Sequence, residues 1–220
     1  MLPYFVLFFA VYSVIGWLYE TALCSFEERK AVNRGFLMGP YCPIYGCGAL
    51  LFILLLGSEG SPLLIFFLGA FVACAIEYST SAVMERLFHA RWWDYSKFRF
   101  NLNGRICLGA AMIFGAFAVL LIKLLHPAVS GILFSLPKVI ILAMSAAFTV
   151  VFILDLFFTL RGFDGFHQGF PDNGELSRQE ARLLKAFPSL MPSRDSIAVS
   201  QYREALKKSS VNNKKKRKTS

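Results

Sequence analysis

Five long apolar stretches constrain this chain more than any other feature of its sequence. They lie near residues 3–24, 36–56, 62–84, 106–125 and 136–160. Each holds about the 20 helical residues that suffice to cross a hydrocarbon layer of about 30 Å. Since 56% of the 220 residues are hydrophobic, the composition argues against a soluble domain. The sequence therefore predicts an all-α integral membrane protein with about five transmembrane helices.

The positive charges are concentrated on one side of these stretches. Three lysines and arginines lie in the loop at 27–35, five in the loop at 85–105, and thirteen after the last stretch. Only Lys123 and Lys138 flank the connection between the fourth and fifth stretches, which is predicted to be a turn at 126–135. Because lysine and arginine are enriched on the cytoplasmic side, the pattern predicts an N-terminus outside and a C-terminus in the cytoplasm.

The chain divides into two parts by composition. Residues 1–160 form the predicted transmembrane domain, and residues 161–220 form a basic cytoplasmic tail. The tail is expected to contain short amphipathic helices and a disordered, lysine-rich end that is attracted to anionic lipid headgroups. The formal net charge of +9 thus indicates membrane orientation, and nucleic-acid binding is the weaker interpretation.

Charged side chains within or beside the apolar stretches are the main candidates for function. A carboxylate at membrane depth is costly unless it finds a partner or water. In both cytoplasmic hairpins, a glutamate precedes a basic loop that ends in asparagine, glycine and arginine, which indicates a faint parallel repeat. The predicted polar site, open to the cytoplasm, comprises Glu20, Glu77, Glu85, Asp155, Arg34, Arg105 and Trp17. Ion pairs that only lock the helix ends are the alternative interpretation.

The second apolar stretch begins with residues that disfavour a continuous helix. Pro40 and Pro43 each lack a backbone N–H and clash with a preceding carbonyl. Gly39, Cys42 and Gly46 belong to the same segment, and glycine permits close approach of a helix or ligand. Backbone without helical hydrogen bonds is tolerated at membrane depth only against protein or water. The sequence predicts a helix broken or kinked at the two prolines, either lining the polar site or packing as a kinked helix.

An aromatic and basic loop precedes the fourth stretch. Its centre consists of Arg91, Trp92, Trp93, Asp94 and Tyr95. Aromatic rings and cations both favour the headgroup region of a bilayer. The loop is therefore predicted to be an interfacial element, with docking of a cytoplasmic partner as the alternative.

No sequence pattern indicates a metal, a cofactor or a catalytic centre. The five cysteines include no C-x-x-C pair and fall in or near apolar stretches, so they are expected to be buried thiols. The sequence has neither a nucleotide-binding motif nor a Ser/His/Asp set. An enzyme is therefore the less favoured class.

Six short motifs follow one another within residues 4–125. They are Ser13-x-x-Gly16-Trp17-x-x-Glu20, Asn33-Arg34-Gly35-Phe36-Leu37, Gly39-Pro40-x-Cys42-Pro43-Ile44-Tyr45-Gly46, Glu77-x-x-Thr80-Ser81-x-x-Met84-Glu85, Arg91-Trp92-Trp93-Asp94-Tyr95 and Asn103-Gly104-Arg105-Ile106-Cys107. In this order they resemble a bacterial family, the putative ABC-transporter type IV or CmpB-like permeases. The resemblance implies a multi-pass protein of the bacterial plasma membrane that serves as an ABC-type permease. Such a permease would need a separate ATPase subunit.

Three functional hypotheses follow. The leading one is a permease-like membrane subunit with a polar site facing the cytoplasm. The second is an intramembrane enzyme acting on a lipid or envelope precursor, with Glu77 or Glu20 as acid or base. The third is a non-catalytic membrane scaffold or regulator that acts through the 85–105 loop and the tail.

Overall fold

The structure, a computed structural model, is mainly helical and describes residues 1–29, 32–88, 90–161, 182 and 191–192. The helices are α1 (Leu2–Glu28), α2 (Pro43–Leu56), α3 (Pro62–Phe88), α4 (Leu108–Leu120), α5 (His126–Ser135) and α6 (Lys138–Arg161). Short strands β1 (Ala90–Arg91) and β4 (Met191–Pro192) pair antiparallel, as do β2 (Asn101–Leu102) and β3 (Ile106–Cys107). The predicted amphipathic helices and lysine-rich end of the tail lie outside the described residues.

Four helices are long and apolar enough to cross a membrane. They are Leu2–Phe26, Pro62–Leu87, Leu108–Ser135 and Lys138–Arg161. Helix α2 is also apolar but has 14 residues, which at 1.5 Å per residue gives a length of about 21 Å. Four of the predicted stretches therefore correspond to helices of spanning length, and the second does not reach that length as a helix.

Only the later part of the second apolar stretch is helical. Helix α2 begins at Pro43, and residues 36–42 form bends and irregular backbone. Pro43 lies in the first turn, where a missing N–H costs nothing, whereas Pro40 would interrupt a helix that began earlier. Cys42 donates its N–H to a carbonyl of α1 instead, at 2.9 Å. Residues 36–42 are therefore not helical, and the helix in this stretch is Pro43–Leu56.

The predicted turn at 126–135 is wrong, because these residues are helical. Helix α4 continues through a π-helical turn, Leu121–Leu125, directly into α5. Pro127 lies in the first turn of α5. A π-helical turn shifts the backbone hydrogen bonds by one residue, and this relieves the clash between a proline ring and the preceding turn. The connection to α6 is therefore only Leu136 and Pro137.

Small residues bring the helices into close contact. Helix α1 packs against α2 and α6, while α3 packs against α2 and α4. A Cβ atom at Gly46 of α2 would lie 2.2 Å from Ser13 Oγ and 2.7 Å from the Phe9 carbonyl oxygen of α1. A Cβ atom at Gly69 of α3 would lie 2.2 Å from the Ala118 Cβ atom of α4. Glycines thus set the spacing between helices, as is common in membrane proteins.

Apolar side chains fill two buried clusters and also cover the outside of the helices. One cluster joins α1, α2, α5 and α6 around Phe8 and Leu133. The other joins α2, α3 and α4 around Ile65 and Ala118. Many large apolar side chains elsewhere are exposed, Leu142 of α6 among them. A surface of this kind suits contact with lipid chains.

Candidate functional site

The candidate polar residues lie at one end of the helices, which we call the basic end. It consists of the last turns of α1, α3 and α6, residues 32–42 before α2, and residues 90–107 before α4. The two loops touch, because the ring of Phe36 packs edge-on against the ring of Trp92 with centroids 5.3 Å apart. Trp92 is buried. The residues that precede α2 and α4 therefore form one connected layer.

Glu20 of α1 has two partners from later in the chain. Its Oε1 accepts a hydrogen bond from the Tyr45 hydroxyl at 2.6 Å, and its Oε2 lies 3.6 Å from Arg34 Nε. Arg34 is held there by its neighbours, since Asn33 accepts a hydrogen bond from Trp17 Nε1 at 2.8 Å. The structure thus brings together three of the residues predicted from the sequence, with Tyr45 added.

Glu85 of α3 forms the shortest ion pair among the described residues of the basic end. Its Oε2 lies 2.8 Å from Arg105 Nη2 and 3.6 Å from Arg91 Nε. Arg105 also donates to the Ser81 hydroxyl at 3.1 Å and places its guanidinium over the ring of Tyr78, 5.6 Å from the centroid. Arg105 therefore ties the start of α4 to the last turns of α3.

A tight turn between β2 and β3 positions Arg105. Gly104 has φ +68, and a Cβ atom there would lie 2.5 Å from Asp94 Oδ1. The carbonyl of Gly104 accepts from the Tyr95 N–H at 2.8 Å, and that of Arg105 accepts from Trp93 Nε1 at 3.1 Å. The Ser96 hydroxyl and N–H hold the pKa of Asp94 below its usual range. The central loop residues therefore fold around the turn that carries the arginine.

The two basic hairpins make parallel contacts. In both, the asparagine after the loop is hydrogen-bonded to an aromatic side chain of the preceding helix, and the arginine faces a glutamate of that helix. Asn33 accepts from Trp17, and Asn103 donates to the Tyr78 hydroxyl at 2.9 Å. The repeat suggested by the sequence thus has a structural counterpart.

Among the described residues, Glu77 of α3 is a buried acid with one hydrogen-bond donor and no ion pair, whereas the equally buried Asp155 has four donors. Its side chain belongs to a residue that is only 8% exposed. Oε1 accepts from the Tyr95 hydroxyl at 3.1 Å, while Oε2 is buried with no hydrogen-bond partner among the residues that the structure describes. Burial raises the pKa of the Tyr95 hydroxyl, and the negative charges of Glu77 and Glu20 raise it further. Glu20, Glu77 and Tyr95 therefore share one electrostatic environment.

Asp155 of α6 binds the irregular segment before α2. Its carboxylate accepts the N–H of Met38 at 3.0 Å and the N–H of Gly39 at 2.7 Å. The hydroxyls of Tyr41 and Thr159 also donate to it, the latter at 3.0 Å. Asp155 thus accepts from main-chain donors that would otherwise lack a helical partner, and its described partners are different from those of Glu20 and Glu85.

A family model described as Putative ABC-transporter type IV matches residues 7–160. The chain belongs to this family. The match confirms the resemblance seen in the motifs and, with the four apolar helices, identifies a multi-pass membrane protein related to ABC transporters. No curated protein and no solved structure gives a significant match.

Tyr41 and Tyr45 were not among the candidate residues predicted from the sequence of this family member. Tyr41 and Tyr45 both donate to acids in the structure, to Asp155 and Glu20 respectively. Their positions shortly after Pro40 and Pro43 could have identified them, because a hydroxyl near a broken helix can donate a hydrogen bond to a carboxylate at the same membrane depth. Within the described ranges, no group of three or more His, Cys, Asp or Glu side chains could hold a metal ion.

Replacing Arg105 by alanine is expected to loosen the loop of this ABC-transporter relative. The change removes the 2.8 Å pair with Glu85 and the hydrogen bond to Ser81, which together are worth about 1–3 kcal/mol. Arg91→Ala is the matched control, since the ion pairs of Arg91 with described residues are longer, at 3.6 and 3.7 Å, and are worth about 0–1 kcal/mol. Thermal unfolding in mild detergent should show the larger drop for Arg105→Ala; equal drops would contradict this ranking.

Proposed function

We propose that this protein is the membrane subunit of an ABC-type permease in the bacterial plasma membrane. In this proposal the chain crosses the membrane five times, and residues 36–42 complete the crossing of α2. The N-terminus is outside and the basic end faces the cytoplasm, because this topology puts 21 of the 23 lysines and arginines of the sequence on the cytoplasmic side. Polar residues at the basic end then form a site that opens toward the cytoplasm.

The observation that carries this proposal is the buried carboxylate of Glu77. The other acids of the predicted site are compensated: Glu20 by Arg34, Glu85 by Arg105, and Asp155 by four donors. Among the described residues, Glu77 has one hydroxyl partner and no cation. An ionised carboxylate is costly in such a place. Glu77 therefore suits binding of a proton or of a cationic group on a transported molecule.

The loop around β1 is the proposed docking surface for a separate ATPase. Its residues Arg91, Trp93, Asp94 and Tyr95 lie directly beside the proposed site, because Tyr95 bonds Glu77 and Arg91 lies near Glu85, while Trp92 is buried beneath them. A partner that moved this loop would change the surroundings of both glutamates. The tail is proposed to bind anionic lipid headgroups near the same face, as its charge favours.

Cross-linking in native membranes tests whether the ATPase exists. Full-length protein at its native level is cross-linked, extracted in mild detergent and purified, and its partners and cross-link positions are identified by mass spectrometry. An ATP-hydrolysing protein linked to residues 85–105 supports the proposal. Repeated recovery of other partners without an ATPase would overturn it and favour a scaffold.

Replacing Glu77 by glutamine is expected to abolish most of the activity while the protein still folds. The amide has nearly the same shape but cannot carry the negative charge that neutralises a proton or cation. In liposomes containing the complex with its ATPase, ATP hydrolysis should fall about tenfold or more, which corresponds to about 1.4 kcal/mol in activation free energy. The matched control is Glu59→Gln, in the exposed turn at the opposite end.

Membrane abundance separates the functional role of Glu77 from a structural one. Glu77→Gln should accumulate and unfold like the unmodified protein, because glutamine can still accept the Tyr95 hydrogen bond. Loss of folded protein, or full activity in the variant, would contradict the assignment of Glu77 to the site.

A further inference from the structure

The segment before α2 contacts a charged group on each of its two sides. Asp155 accepts the N–H groups of Met38 and Gly39. On the other side, Arg182 of the tail donates from Nη1 to the Leu37 carbonyl at 2.8 Å and to the Gly35 carbonyl at 3.2 Å. Its Nη2 donates to the carbonyl between them at 2.8 Å. One guanidinium therefore binds three successive main-chain carbonyls.

The peptide unit between Leu37 and Met38 shows how the two sides are linked. Its carbonyl accepts from Arg182 and its N–H donates to Asp155. The carbonyl and the N–H of a trans peptide point in opposite directions, so the unit lies between the guanidinium and the carboxylate. Burial lowers the pKa of Arg182, and the negative charge of Asp155 opposes this effect.

The chemistry of these contacts selects a guanidinium. A planar group with donors on two terminal nitrogens can reach three carbonyls that lie side by side, whereas an ammonium group acts as a single point charge. Residues 35–42 are not helical, so these three carbonyls are not engaged in helical hydrogen bonds and can accept from a guanidinium. Arg182 is partly buried in this position. The contact is thus a fitted site and differs from a screened surface pair.

We propose that the carbonyls of Gly35, Phe36 and Leu37, with Asp155 behind them, form a guanidinium-binding site whose resident ligand is Arg182 of the same chain. The site fastens the tail to the start of α2. Other guanidinium groups, including arginine side chains of another protein, compete for it. This assignment does not depend on the transport proposal, because it concerns only how the tail is held.

A photo-cross-linker at position 38 tests the assignment in the full-length protein. Met38 is exposed, so p-benzoylphenylalanine can replace its side chain while the main-chain bonds stay. Irradiation in membranes should link position 38 to the tail peptide around residue 182. Arg182→Ala should reduce this product about tenfold or more, because three charge-assisted hydrogen bonds are lost together. Arg182→Lys should give an intermediate yield, and Arg178→Ala, which removes the same charge from the same tail, should have no effect.

Two further experiments identify the chemical group that binds the site and the chain from which it comes. Guanidinium chloride, well below unfolding concentrations, should lower the yield more than sodium chloride at the same ionic strength; an equal effect would overturn the assignment to a guanidinium. Co-expression of two differently tagged chains distinguishes the source. Cross-links within one chain support Arg182 as the ligand in cis, whereas links between chains, or an unchanged yield in Arg182→Ala, would overturn it. The yield of this cross-link does not depend on transport or on an ATPase. A negative result here would therefore leave the transport proposal untouched.

Discussion

Replacing Asp155 by alanine is expected to destabilise the protein more than any other single change at the basic end. Its carboxylate is the shared acceptor of two main-chain N–H groups and two hydroxyls. Each buried donor left without an acceptor costs about 1–3 kcal/mol, so the summed cost is about 4 kcal/mol or more. A typical domain has only about 5–15 kcal/mol of stability. The midpoint of thermal unfolding in mild detergent measures the change.

Two variants of α6 provide the comparison for Asp155→Ala. Asp155→Asn retains one acceptor oxygen and should fall between alanine and the unmodified protein. Ser145→Ala removes another buried polar group of the same helix, but in the described part of the chain the Ser145 hydroxyl donates within its own helix, to the Leu142 carbonyl at 2.9 Å. Its unfolding midpoint should change little. If Asp155→Ala and Ser145→Ala shifted the midpoint equally, Asp155 would not be the acceptor that holds the segment.

Adding one methyl group at Gly46 is expected to separate α1 from α2. In Gly46→Ala the new Cβ atom would lie 2.2 Å from Ser13 Oγ and 2.7 Å from the Phe9 carbonyl oxygen. The hydroxyl can rotate away, but the carbonyl belongs to the backbone of α1, so one helix must shift. Overpacking of this kind costs about 1–3 kcal/mol. Because Tyr45 is the neighbour of Gly46, the shift should also weaken the hydrogen bond between Tyr45 and Glu20.

Gly48 offers a matched control two residues further along α2. A Cβ atom there would meet only the Cδ1 atom of Ile76, at 3.9 Å, which is an ordinary contact. Gly48→Ala should therefore leave the unfolding midpoint unchanged or raise it slightly, since alanine favours the helix. Equal destabilisation by the two alanines would show that helix propensity, and not the spacing of α1 and α2, determines the effect.

Much of the fold could be predicted because it depends on length and polarity alone. Long apolar stretches define four spanning helices, and Pro40 explains why α2 begins only at Pro43. The helix at 126–135 could not be predicted in this way. Pro127 and its neighbours resemble a turn in sequence, while the π-helical turn that admits them depends on the backbone of the preceding helix.

The charged pairs of the candidate site could be predicted from the sequence, but its hydrogen bonds could not. Glu20 with Arg34 and Glu85 with Arg105 could be expected, because each arginine follows its glutamate across one hairpin. The separate position of Asp155 could not, since it bonds main-chain N–H groups that have no signature in sequence. Tyrosines in an apolar sequence are likewise expected to be apolar or interfacial residues, although tyrosine hydroxyls donate to Asp155, Glu20 and Glu77 here.

The π-helical turn at Leu121–Leu125 lets one continuous helix serve two different neighbours. One extra residue in a turn rotates everything that follows by about 100° relative to an uninterrupted α-helix. Before the turn, Ala118 contacts the α3 side of the molecule; after it, His126 meets the Tyr12 hydroxyl of α1 at 3.0 Å. The turn therefore works as a fixed angular offset, and removing one residue from it would point the second half of the helix away from α1.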